Sequence, residues 1–260
     1  MRRRSGHGTE QARCWGSNFY GQLGNGTTTD RTRPVTVSNL TGGNALQGVK
    51  KISAGRWHAC ARLENGQARC WGDNEDGQLG DGTTTNRTRP VSVSNATGGN
   101  ALQNVRKISA GTWQTCAKLS NGQARCWGDN AFGALGDGTV TDRLRPVTVS
   151  NEDGTGALSV VGIISAGEYR HSCAVLDGDQ ARCWGYNFTG QLGDGTDHEP
   201  DATRRRPPRG LTGPPLGGPC GRLWAVRSGG QPTPRSPGVA PARAAPPSTR
   251  RASWGPRCST

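Results

Sequence analysis

Polar and apolar positions alternate along most of this chain in short runs, and no segment returns its apolar residues at the spacing of an amphipathic helix. In PVTVS, residues 34–38, Val35 and Val37 alternate with Thr36 and Ser38. VKKISA (49–54), HACARL (58–63) and QARCWG (67–72) follow with the same character. Val, Ile, Thr and Trp suit the pleated, half-buried surface of a strand. Asn65-Gly66, Asn121-Gly122 and Asp177-Gly178 separate such runs, and these residues accept the positive φ of a hairpin turn. NEDGQLGDGTTTNRTR, residues 74–89, is rich in Gly and Thr and is expected to be a loop.

The runs recur. QARCWG stands at 11–16, 67–72, 123–128 and 180–185, so Cys14, Cys70, Cys126 and Cys183 are 56, 56 and 57 residues apart. ISAG returns at 52–55, 108–111 and 164–167, and RPVTV or RPVSV begins at Arg33, Arg89 and Arg145. A repeated unit of four antiparallel strands buries its sheet faces against its neighbours, which is the blade of a β-propeller. The expected fold is all-β: a partial β-propeller of four-stranded antiparallel blades, with three complete blades and one orphan strand. The boundaries read from the period are a disordered N-terminus at 1–8, a partial repeat at 9–33, blades at 34–89, 90–145 and 146–200, and a tail at 201–260. A closed ring takes about four to eight blades. The expectation is therefore an open arc, self-association that completes a propeller, or a fragment of a larger protein.

Composition divides the chain in two. Glycine, at 41 residues, serves tight turns better than helix interiors. The net charge of +13 is uneven: residues 1–196 carry 21 Lys+Arg against 16 Asp+Glu, whereas 197–260 carry 11 Arg against 3 acids. Thirteen of the 16 prolines lie in that second part. Its composition is that of a GC-rich gene read out of frame, or of a disordered tail. Arginine without interleaved aromatics or a folded motif argues against nucleic-acid binding. No run approaches the roughly 18 apolar residues of a membrane span, and MRRRSGHGTE is not followed by the apolar core of a signal peptide.

With these residues assembled, ISAG…HACARLENGQARCWGDNEDGQLGDGT resembles the regulator of chromosome condensation repeat. The matching positions are Gly55, His58, Ala61, Leu63, Gly66, Trp71, Gly72, Asn74, Gly77, Gln78, Leu79, Gly80 and Gly82. The resemblance covers about residues 11–196 and implies units of a seven-bladed propeller. It is nearest to bacterial secreted versions, which carry an extra cysteine pair, and the chain reads as a fragment of such a protein. Two departures stand out: GTEQARCWG begins in the middle of a repeat, and the pattern dissolves after LGDGT at 192–196.

Cys60 and Cys70, Cys116 and Cys126, and Cys173 and Cys183 share one separation. A three-residue loop over Glu64-Asn65-Gly66 would set Cys60 opposite Cys70, close to the reach of a disulfide. Structural disulfides are the favoured reading, with buried thiols as the alternative. Zinc sites want cysteines about two to four residues apart with further ligands nearby, and this spacing fails that test. Cys14 is then expected to be unpaired, while Cys220 and Cys258 have no assigned role. Three bridges imply an oxidising compartment, extracellular or in the cell envelope.

No catalytic constellation emerges. His58 and His171 share a repeat position that is Gln114 in the middle repeat, and neither has an orienting acid in view. DNEDGQLGDG at 73–82 puts Gly77 where a calcium loop wants a carboxylate. Trp15, Trp71, Trp127 and Trp184 read as blade packing. No cofactor, metal or catalytic residue is expected. The expected function is a non-enzymatic protein-interaction module with an unidentified protein partner. It would bind through NLTGGNALQGVKK, NATGGNALQNVRK and NEDGTGALSVVGI, with Trp57, Trp113 and Tyr169 beside them. The resemblance also implies an alternative, guanine-nucleotide exchange on a small GTPase, and a gene fragment without function is the third reading.

Overall fold

A computed structural model describes residues 11–197 and 257–259, which lie in one compact unit. The sequence-defined segment 1–8 and nearly all of the tail lie outside the described residues. Every regular element among them is a strand: β1 (Arg13–Gly16), β2 (Arg31–Thr36), β3 (Val49–Ala54), β4 (His58–Leu63), β5 (Ala68–Gly72), β6 (Arg87–Ser92) and β7 (Val105–Ala110). The rest are β8 (Gln114–Leu119), β9 (Ala124–Gly128), β10 (Arg143–Thr148), β11 (Val161–Ala166), β12 (His171–Leu176), β13 (Ala181–Gly185) and β14 (Arg257–Ser259). They form antiparallel sheets ordered β3-β4-β5-β6, β7-β8-β9-β10, β11-β12-β13 and β14-β1-β2. These are blade 1, blade 2, blade 3 and an N-terminal blade.

The all-β propeller expectation holds, and its phase is corrected. The PV strand does not open the blade that follows it, as the 34–89, 90–145 and 146–200 boundaries require. It closes the blade before it: Cys14 faces Val35, Cys70 faces Val91 and Cys126 faces Val147. A period fixes the length of a unit but not where to cut it. The loop between decides the matter. Asn74 accepts a hydrogen bond from the Leu79 amide at 2.9 Å and donates to the Thr83 and Thr85 carbonyls at 2.9 and 3.1 Å. That hub turns the chain back onto the strand it has just left. Asn18 and Asn130 do the same in their repeats, and Asn187 makes the equivalent contacts with Leu192 and Thr196. The outer position also suits Pro34, Pro90 and Pro146, which cannot donate to a further strand. Among the described residues blades 1 and 2 are four-stranded and blade 3 comprises β11, β12 and β13.

The orphan strand is not alone. Besides β2, β1 pairs with β14, placing Cys14 opposite Cys258 and Trp15 opposite Arg257. This is the register in which β5 meets β4, with Cys60 opposite Cys70. The tail thus supplies a strand at 257–259, in the place a HACARL run occupies elsewhere.

Blades pack through three repeated contacts. The Ser53 hydroxyl accepts from the Ala110 amide at 2.9 Å, and Ser109 accepts from Ala166 at 3.0 Å, tying the first strands together. The Trp71 indole donates to the Gln22 carbonyl and Trp127 to that of Gln78, both at 2.9 Å. The last glycine of GQLG makes room for that ring: at Gly80 a β-carbon would lie 2.7 Å from the Trp127 Nε1, and its φ of +67° is one that side chains rarely adopt. Three buried clusters follow, centred on Trp71, on Trp127 and on Leu135 with Val161.

Candidate interaction surface

Each blade has two ends. At one, here the loop face, lie the turns joining β3 to β4, β7 to β8 and β11 to β12, together with the first residues of the Asn-hub loops, which then run down the blade to Ser38, Ser94 and Ser150. The Asp73 amide donates to the Trp57 carbonyl, and Asp129 to that of Trp113, both at 3.0 Å; Tyr186 donates to that of Arg170 at 2.9 Å. At the other, the hairpin face, lie the turns joining β4 to β5 and the connections between blades, where the Glu64 amide donates to the Gly48 carbonyl at 2.7 Å.

This separates two sets of residues that the sequence grouped. Trp57, Trp113 and Tyr169 lie on the loop face, whereas the TGGNAL connections lie on the hairpin face. The strand direction forces the split, because the PV strand carries the chain from one end of its blade to the other before the connection begins.

The loop face is aromatic. Tyr20 stacks edge-on between Phe19, at 5.0 Å, and Trp57, at 5.6 Å. Phe132 meets Tyr186 at 4.9 Å, and Tyr186 meets Phe188 at 5.3 Å. Phe19 is 73% exposed, Tyr169 61% and Phe188 56%. Arg170 lies over the Trp113 ring at 4.6 Å and over Phe132 at 5.5 Å, and its Nε is 3.0 Å from the Asp129 carboxylate. Arg170 is the residue that breaks the period. It adds one position between ISAG and the next strand, takes a φ of 50°, and accounts for the spacing of 57 where the other repeats have 56. That irregular spacing was the sequence signal for it. The carboxylates of Asp76, Asp129 and Asp142 gather within 4.8 Å of one another beside it. Burial, partly offset by Arg170 and reinforced by Asp142 and Asp76, pushes Asp129 up to about 6.

The other candidates resolve into structure. His58 is fully buried and its Nε2 lies 2.8 Å from the Thr115 hydroxyl, which donates to the Gln78 carbonyl at 2.8 Å. The hydroxyl proton is therefore spent, and Nε2 must be the donor of the imidazole. Burial depresses this imidazole to about 3, so it is neutral at physiological pH. Gln114, its counterpart, donates instead to the His171 and Gly167 carbonyls of blade 3, at 3.0 and 3.2 Å. In the 73–82 loop, Asp81 is engaged by Thr83 at 2.7 Å and Arg87 at 3.0 Å. Burial alone would raise this carboxyl, but those partners hold it below its usual range.

The structure joins Cys60 to Cys70, Cys116 to Cys126 and Cys173 to Cys183, each with Cα atoms 4.1 Å apart. The three-residue loop responsible is closed by the Leu63 amide donating to Gln67 at 2.8 Å, with Gly66 at φ +77°. In blade 3 the left-handed position falls on Asp179, φ 62°. The expectation of a free Cys14 is corrected: it bonds Cys258 across 244 residues, because β14 fills the strand position that the partial repeat left open.

Repeated antiparallel blades of this kind define a propeller-repeat scaffold. The Regulator of chromosome condensation (RCC1) repeat matches residues 14–62, 65–117 and 121–175, and a second description of the same repeat matches 49–78, 105–134 and 163–191. The chain belongs to the RCC1 repeat family. It is 31% identical over 183 residues to the ultraviolet-B receptor UVR8 of Arabidopsis thaliana, covering 70% of this chain and 38% of the receptor. It is 28% identical over 189 residues to the E3 ubiquitin-protein ligase HERC2 of Homo sapiens, covering 73% of this chain and 4% of the ligase. The crystal structure of human WBSCR16 shares the fold at 20% identity and a TM-score of 0.55, covering 67% of this chain and 42% of that one. The chain spans less than half the length of each of these relatives.

Proposed function

We propose that this chain is a non-enzymatic protein-interaction module working outside the cytoplasm, and that its loop face binds the partner. The observation that carries the reading is the convergence of Trp57, Trp113 and Tyr169 on one face with Phe19, Tyr20, Phe132, Tyr186 and Phe188. Aromatic residues presented on rigid loops are the usual anchors of protein interfaces. The paired cysteines support an oxidising compartment. Capture from culture medium or a periplasmic extract should recover a saturable protein partner, and W57A/W113A/Y169A together should abolish its retention. Equal retention by the triple variant overturns the assignment of the face. Thiol titration of the denatured, unreduced protein tests the compartment. Nine cysteines less the eight in bridges leave one expected thiol, and six or more would favour a reducing setting and the exchange-factor reading.

A further inference from the structure

The hairpin face has the opposite character from the loop face. Blade 1 places Lys50, Lys51, Arg62 and Arg69 at this end of its strands, and blade 2 places Arg106, Lys107, Lys118 and Arg125 at the same four positions. The only carboxylate between residues 31 and 72 is Glu64, paired with Lys50 at 3.4 Å, and residues 87–128 contain none. Arg69 and Arg125 are braced by their own Gln67 and Gln123, at 3.1 and 3.2 Å, and neither meets a carboxylate among the described residues.

Blade 3 is an internal control on the same scaffold. Its equivalents of the lysine and arginine pairs are Gly162 and Ile163, and Val175 replaces Arg62 and Lys118. The arginine it keeps, Arg182, is paired with Glu152, whose position is Leu40 before blade 1 and Ala96 before blade 2. The cationic surface is thus concentrated on blades 1 and 2, and the N-terminal blade adds the exposed Arg13, braced by Gln11 at 3.3 Å, in the place of Arg69. At their junction, Arg62, Glu64, Asn65, Gly66, Asn104 and Arg106 line a polar cavity of about 170 Å³.

We propose that the hairpin face of blades 1 and 2 is a second docking surface, and that it takes an acidic segment of a protein. Charge complementarity selects an anionic occupant, and guanidinium forks suit carboxylates. Two features favour a peptide over a nucleic acid. No aromatic side chain of the described loops lies on this face to stack a base, the aromatic clusters being on the other. Glu64 and the Asn65 and Asn104 amides also stand in the cavity wall. Glu64 repels any anion that passes it, but a peptide can answer it with backbone N–H groups, which a phosphodiester backbone lacks.

The test uses the full chain and a fluorescent oligoglutamate of about twelve residues, which at roughly 3.3 Å per residue more than bridges the roughly 10 Å between stacked sheets. Anisotropy should show saturable, salt-sensitive binding. K51E/R106E/K107E should weaken it by about tenfold or more, as expected for three exposed ion pairs. L40E/A96E, which copies the acid of blade 3 and leaves every cation in place, should weaken it less but measurably. R182A should leave it unchanged. Undiminished binding by both multiple variants means that the arginines beyond residue 200 hold the probe and overturns the proposal. So does a twelve-nucleotide oligothymidylate that binds more tightly than oligoglutamate and loses its affinity in the same variants. Because the substituted residues all lie on this face, a failure of the W57A/W113A/Y169A capture leaves the result standing.

Discussion

β9 and β13 have the same sequence, ARCWG, and the same hairpin partner strand in the same register. In β9 every residue but Arg125 is buried, and Trp127 has no exposed surface; in β13 only Gly185 is buried, and Trp184 is half-covered. Both indoles donate to a carbonyl of the preceding blade at 2.9 Å, from Gln78 and Ala134. Two things differ: β9 is flanked by β10 and followed by blade 3, whereas among the described residues β13 has neither an outer strand nor a following blade beside it. Burial here belongs to the stack rather than to the repeat, so interior and terminal copies of one residue should differ in energetic weight.

The largest expected effect follows from that pair. W127A should cost about 3–5 kcal/mol, the range for a fully buried aromatic, and W184A about half as much in urea unfolding. Equal costs would mean that blade 3 is covered in solution. Next comes acidity. His58 has its folded-state value depressed to about 3 against 6.5 unfolded, so the unfolded chain binds the extra proton. The contribution of neutral His58 is complete above pH 6.5 and is lost as pH falls from 6.5 towards 3. Relative to H58Q, which copies blade 2, the wild type should lose about 1.4 kcal/mol per pH unit across that window. Asp73 and Asp129, each pushed up to about 6 chiefly by burial, titrate with the opposite sign, so the comparison must be the difference between the two proteins. A flat difference would show that His58 reaches water. The smallest effect concerns Arg170. Its deletion restores the 56-residue spacing and removes the partner of a buried carboxylate. A loss of about 1 kcal/mol is expected above pH 6, where Asp129 is ionised, and less below it. Thermal melts at pH 5 and pH 7.5 measure it, and a larger loss at the lower pH would contradict the pairing.

Much of the architecture was legible because the repeat is strict. Alternation marked the strands, Asn65-Gly66 marked the hairpin, and the constant cysteine separation carried the register into which the structure bonds Cys60 and Cys70. What escaped depended on contacts between distant parts. The side to which the PV strand belongs is decided by Asn74 and its backbone partners, and a period carries no such information. β14 lies in a stretch with no repeat signal, and only the vacant strand position beside Cys14 gives Arg257-Cys258-Ser259 a place. The two-faced distribution of aromatic and cationic residues emerges only when strand directions are known. Trp57 and the TGGNAL loops are close in sequence and at opposite ends of the blade.

The Cys14–Cys258 bond makes a covalent ring of the backbone between them, with a sequence separation of 244. A single protease cut anywhere inside that ring frees no fragment. The nicked protein should run as one band on a non-reducing gel and part into two once dithiothreitol opens the bond.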